Sequence, residues 1–107
     1  MRFWAVTVSS LPAQAMALYP FLLVKSERLK TDERIIRHEK IHFYQQLEML
    51  IIFFYPVYLL NYLYNLVKFR SHGEAYFQIS FEREAYKNEN DLAYLKKRTP
   101  FAWLKYL

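Results

Sequence analysis

The chain has 107 residues, enough for one modest hydrophobic core. Apolar residues make up 54% of it and aromatics 20%, and there is one glycine, so a helix-rich domain spanning residues 1–107 is expected. It has no cysteine, which excludes disulfides, thiolate metal sites and cysteine nucleophiles; its net charge of +5 is scattered and unaccompanied by any recognition motif, which argues against nucleic-acid binding.

Residues 2–8 (RFWAVTV) are rich in aromatic and β-branched side chains and read as a strand. Residues 1–15 loosely mimic a signal peptide. Thr7, Ser9 and Ser10 interrupt the apolar run, however, and Arg2 alone makes the basic region, so the strand is preferred. A cytoplasmic or membrane-associated setting is expected accordingly. Residues 9–12 form a turn, and residues 13–18 read equally as a short helix or extended chain. Residues 21–25 read as a second strand, and residues 26–30 as a polar loop.

Thr31-Asp32 supplies a helix N-cap, with Glu33 in the first turn. No breaker follows until Pro56, so a first helix is expected over residues 33–54 and a second over 57–69. Ser71-His72-Gly73 interrupts the pattern, and a last helix is expected over 74–97, ended by Thr99-Pro100 and followed by the aromatic tail Phe101, Trp103 and Tyr106. The fold class is therefore α+β and mainly α: short N-terminal strands, then a bundle of about three helices.

The first helix carries His38-Glu39-Lys40-Ile41-His42, an H-E-x-x-H motif. Residues four apart share a helix face, so both imidazoles can bind one Zn²⁺ from the same side. Glu39 follows the first ligand directly, where its carboxylate can take a proton from a zinc-bound water. A catalytic zinc usually has a third protein ligand. His72 lies beside Gly73 in an expected loop with no ligand setting around it. The last helix offers Glu82, on an apolar face with Tyr76, Ile79, Tyr86 and Ala93, whereas Glu84 falls beside Ser80, Lys87 and Asn88 on the wet side. A carboxylate on a buried face is costly unless it is paired or binds a metal. Glu82 is thus the candidate third ligand, the alternative being a part-buried ion pair with Arg34 or Arg37.

H-E-x-x-H followed by a later helix bearing E-x-x-A, here Glu82-Arg83-Glu84-Ala85, resembles the gluzincin zinc metallopeptidases, most of all the minimal single-domain ones. The chain is also similar to small proteins reading H-E-x-I-H-x-x-Q (His38 to Gln45) with a later F-E-R-E-A-Y (Phe81 to Tyr86). The resemblance covers most of residues 21–95. It implies a peptide or protein substrate, a Zn²⁺ cofactor, His38, His42 and Glu82 as ligands, and Glu39 as general base. Many members of the membrane-peptidase kind have Asp after E-x-x-A; here Tyr86 stands there, and it is the candidate oxyanion donor.

Chain geometry constrains this reading. An unbent helix from residue 33 to 69 would leave Phe69 about 40 Å from His42, too far for Glu82 to return. A hard break near Pro56 solves this. Residues 49–67 carry no charge and are long enough for a transmembrane span, but one straight span would put His42 and Glu82 on opposite sides of about 30 Å of hydrocarbon. Membrane contact through Phe53, Phe54, Tyr55 and Tyr58 stays compatible with the zinc site. Two alternatives remain: a zinc protein whose metal is only structural, and a membrane protein whose motif is accidental.

Overall fold

The computed structural model describes residues 2–107. Three short strands come first: β1 (Trp4–Thr7), β2 (Ala15–Leu18) and β3 (Phe21–Val24). β3 is central, parallel to β1 with Trp4 opposite Phe21, and antiparallel to β2 with Ala15 opposite Val24. The segment that read equally as helix or extended chain is thus an edge strand. Where a polar loop was expected, a 3-10 helix (Glu27–Thr31) buries Leu29.

Helix α1 (Glu33–Glu48) starts where its cap predicts: Asp32 Oδ1 accepts from the N–H groups of Arg34 and Ile35 at 3.1 and 3.2 Å, satisfying two donors that lack intrahelical partners. It stops at Glu48, not at Phe54. Leu50 and Ile51 are both left-handed, with φ of 53° and 64°. The Leu50 N–H bonds back to Leu47 O at 3.2 Å and the Ile51 N–H to Gln46 O at 2.5 Å, the two bonds of a Schellman stop. Glycine normally holds the Leu50 position, because a side chain there costs about 1–2 kcal/mol. Leu50 is 71% exposed, so Leu50→Gly sacrifices little packing. It should stabilise the protein by about 1 kcal/mol in urea unfolding; an unchanged or lower midpoint would show the turn to be unstrained.

Helix α2 (Phe54–Phe69) then runs back. Pro56 lies in its first turn, where a missing N–H leaves no intrahelical bond unmade, so the reversal expected near Pro56 is made by residues 49–53 instead. That reversal also divides the uncharged 49–67 stretch, and no helix among the described residues is long and apolar enough to cross a membrane. The last expected helix is three: α3 (His72–Phe77), α4 (Ser80–Asn88) and α5 (Tyr94–Lys97), with Ile79 extended between the first two. His72 therefore opens a helix rather than sitting in a loop, and its Nδ1 meets the Tyr62 hydroxyl at 2.8 Å. A 3-10 helix (Ala102–Tyr106) forms the aromatic tail. The class is α+β and mainly helical as expected, with five α-helices among the described residues where about three were expected.

Two apolar clusters hold these pieces together. One joins the sheet to α1 through Leu22, Val24, Leu29, Ile35 and Phe43. The other joins α2, α4 and the tail through Phe54, Ile79, Phe81 and Trp103. α1 supplies His38 and His42, and α4 packs against it carrying Glu82.

Candidate metal centre

The H-E-x-x-H spacing sets His38 and His42 one turn apart on the buried face of α1, with ring centroids 4.9 Å apart. Their Nε2 atoms lie 3.2 Å from each other. Glu82 Oε1 completes a triangle, 3.0 Å from His42 Nε2 and 3.2 Å from His38 Nε2. Tetrahedral zinc with ligand bonds of about 2.0–2.1 Å separates its donor atoms by about 3.3 Å. The donor set and its spacing both fit that ion. A Glu39 oxygen also comes within 4.8 Å of a nitrogen of each imidazole, but Glu82 makes the closer approach and is the better third ligand.

Each of the three side chains is held from behind. His42 Nδ1 lies 2.7 Å from Gln45 Oε1. The Gln45 amide nitrogen donates to Phe81 O at 3.0 Å and Glu84 Oε1 at 2.9 Å, which fixes Oε1 as the atom facing the ring. His38 Nδ1 lies 3.1 Å from Glu89 Oε1, a carboxylate oxygen that can only accept when ionised. Both Nδ1 atoms therefore carry protons, and in the neutral rings both Nε2 lone pairs point at Glu82 Oε1. The other Glu82 oxygen accepts from the Tyr58 hydroxyl at 2.7 Å. Three lone pairs converging within 3.2 Å repel one another unless a cation sits among them.

Without a metal ion, a proton plays that part. Burial opposes the His42 imidazolium, yet the Glu82 carboxylate against it raises its pKa from 6.5 to about 10. Burial likewise disfavours the Glu82 carboxylate, but His42 and His38 hold it well below its ordinary 4.5. The His42 contribution is complete below pH 6.5 and lost as pH rises through about 10; that of Glu82 is complete above pH 4.5 and lost as pH falls through its depressed value. In chelator, thermal stability relative to the Glu82→Gln variant should therefore be greatest between pH 4.5 and 6.5 and shrink by pH 10. A flat difference across that range would mean the pair is not formed.

Glu39 makes no such pairing. Burial raises its carboxyl above the usual range, with the two imidazoles only partly offsetting this. Two clefts meet at Glu39. The larger, about 270 Å³, is lined by Met16, Leu18, His42, Tyr55, Tyr58 and Glu82 among others; the smaller, about 180 Å³, by Arg34, His38 and Tyr86. Ala13, Ala15, Glu39 and Tyr76 line both. Edge strand β2 thus runs past the centre. Gln46 of α1 clamps it, donating to Ala17 O at 2.7 Å and accepting from Tyr19 N–H at 2.8 Å. Tyr86 packs its ring on His38, centroids 4.4 Å apart, and its hydroxyl meets that of Tyr76 at 2.8 Å. Burial raises the pKa of both phenols, so they remain neutral donors.

Several expectations need correction. Arg34 and Arg37 do not pair with Glu82: Arg34 Nη1 bonds to the Glu89 carboxylate, and Arg37 Nε to Glu89 O at 2.7 Å. Glu84 is not on a wet face but fully buried, receiving Arg98 Nε at 2.5 Å and the Tyr94 hydroxyl at 2.6 Å. Phe54 is buried in the second cluster and Tyr58 is turned onto Glu82, so of the four residues expected at a membrane only Phe53 and Tyr55 are exposed. The supporting roles of Glu89, Gln45 and Tyr58 were missed. Gln45, three residues beyond His42 on one helix face, and Glu89, seven beyond Glu82, had helical spacing as a signal. Tyr58 had none, because its approach depends on the reversal at residues 49–53.

In comparisons with family models, with curated proteins and with solved structures, nothing matches this chain.

Proposed function

We propose that the chain is a zinc-dependent hydrolase of the minimal gluzincin type, cleaving peptide bonds. The observation that carries this reading is the convergence of three donor atoms within 3.2 Å, each on a side chain whose other polar atom already has a partner. His38, His42 and Glu82 would hold the ion. When bound, zinc supplies a Lewis acid for the scissile carbonyl and acidifies a water. Glu39, with a carboxyl raised by burial and facing both clefts, takes the proton of the attacking water and passes it to the leaving amine. The Tyr76–Tyr86 hydroxyl pair donates to the developing oxyanion. The Ala13–Ala15 edge accepts an extended peptide by strand pairing.

Metal content by elemental mass spectrometry tests this on wild type and Glu82→Gln, both purified without added zinc. One equivalent in wild type and a clear loss in the variant is the expected result. No zinc in either protein, even when it is offered, would make the motif a coincidence. The low exposure of all three ligands also suits a purely structural metal. That second reading predicts one equivalent of zinc, unfolding on chelation, and no cleavage of any peptide.

A further inference from the structure

Helix α2 has two unlike sides. Its inner side is tied down: Asn61 Oδ1 accepts from Ser80 N–H at 2.9 Å, Asn65 Nδ2 donates to Ala75 O at 3.2 Å, and Tyr58 bonds to Glu82. Its outer side carries Leu59, Leu60, Leu63, Tyr64 and Val67, between 44% and 79% exposed. At about 100° per residue these five fall in one arc of roughly 140°, and no charged side chain interrupts it. Leu50 and Ile52 in the preceding turn are likewise 71% and 69% exposed. A monomer in water seldom leaves so continuous an apolar surface uncovered.

Charge decides what covers it. No acidic residue occurs between Glu48 and Glu74, whereas Lys68 and Arg70 stand exposed at the end of the stripe, in a chain of net charge +5. The two bracketing acids lie away from the stripe. Glu48 is folded onto Arg98 at 2.8 and 3.0 Å, and Glu74 belongs to α3, which packs on the Asn65 side of α2. A second copy of the chain is a poor complement. Antiparallel pairing of two α2 helices would face Lys68 and Arg70 with the partner's uncharged turn, and parallel pairing would face cations with cations. An anionic lipid surface offers both things required: acyl chains for the stripe and phosphates for its basic end.

We propose that α2 seats this protein on anionic bilayers, lying flat in the interface with Leu60, Leu63 and Val67 among the acyl chains. Sixteen residues make a rod of about 24 Å, and the helix rests on the surface rather than crossing it. The zinc reading is not needed for this inference, and its test uses no metal.

The full chain is sedimented with vesicles of phosphatidylcholine alone and of phosphatidylcholine mixed with phosphatidylglycerol. Binding to the mixed vesicles is expected to be at least about ten-fold tighter and to weaken with salt. Leu60→Glu/Val67→Glu should abolish it while leaving the circular dichroism spectrum unchanged, since both side chains are exposed. Lys68→Glu/Arg70→Glu should erase the preference for the anionic lipid. No binding by wild type overturns the proposal, as does equal binding to both vesicles. So does a lipid-free dimer, seen by ultracentrifugation, that Leu60→Glu/Val67→Glu splits into monomers.

Discussion

Glu39→Gln is expected to keep its zinc and lose peptide hydrolysis by a factor of about 10²–10⁴, the range that a positioned general base contributes. The amide has the shape of the carboxyl but cannot accept the proton of the attacking water. Metal retention is expected because the triangle of His38, His42 and Glu82 does not include Glu39, and the atoms holding those three from behind belong to Glu89, Gln45 and Tyr58. Burial raises the Glu39 carboxyl and nothing neutralises it by direct pairing, so the substitution should not destabilise the fold. The measurement is a pair of numbers on one preparation: zinc per chain, and the rate on a mixture of unstructured peptides. Equal rates in wild type and variant would remove Glu39 from the mechanism. Loss of zinc together with activity would instead make Glu39 a ligand.

The second large effect is expected outside the candidate metal centre, at Arg98. Its guanidinium grips Glu48 with two nitrogens at 2.8 and 3.0 Å and Glu84 with Nε at 2.5 Å and Nη2 at 3.1 Å. Glu84 has no exposed surface at all, and the side chain of Arg98 is 4% exposed. Arg98→Leu would strand two carboxylates, one of them fully buried, and removing one partner of a buried pair typically costs about 3–5 kcal/mol. Urea unfolding reads this directly; a loss below about 1 kcal/mol would show the network to be replaceable. Arg98→Leu/Glu84→Gln should recover part of the loss, because the amide no longer needs a counter-charge. Arg98→Lys should recover little, since an ammonium cannot reproduce the fork. Glu84 also accepts from Gln45, whose oxygen faces His42, so Arg98→Leu should weaken zinc binding as well.

The parts of the structure legible in the sequence are those decided by one local rule. Asp32 caps α1 as its side chain requires, and the four-residue spacing sets two histidines on one face. Glu82 stood out as a carboxylate on an apolar face, and it meets both imidazoles. Parts that depend on distant residues were not legible. The stop of α1 is built from Leu50 and Ile51, which carry no breaker signal; their left-handed turn is closed by the backbone bonds to Leu47 O and Gln46 O. Glu84 reads as exposed because polar Ser80, Lys87 and Asn88 share its side of the helix, yet Ser80 is itself buried, donating to Trp103 O of the tail. The partner of Glu84, Arg98, arrives from beyond α5, which no local spacing announces. Residues 15–18 of the undecided segment 13–18 became a strand only because β3 offers an edge to pair with.

On the proposed peptidase reading, the Gln46 clamp would limit how a peptide can pair at this centre. Antiparallel pairing alternates, and the bond from Lys25 N–H to Gln14 O turns the backbone groups of Gln14, Met16 and Leu18 toward β3. Those of Ala15 and Ala17 point the other way, but Ala17 O and Tyr19 N–H are already taken by Gln46. A guest chain would therefore find only a short docking frame on β2, ahead of the atoms that Gln46 occupies. So short a frame cannot compete with the ladders of a folded sheet. If the chain is a peptidase, selection would then fall to the clefts on either side of Glu39, and to chains already unravelled: tails, frayed loops and fragments.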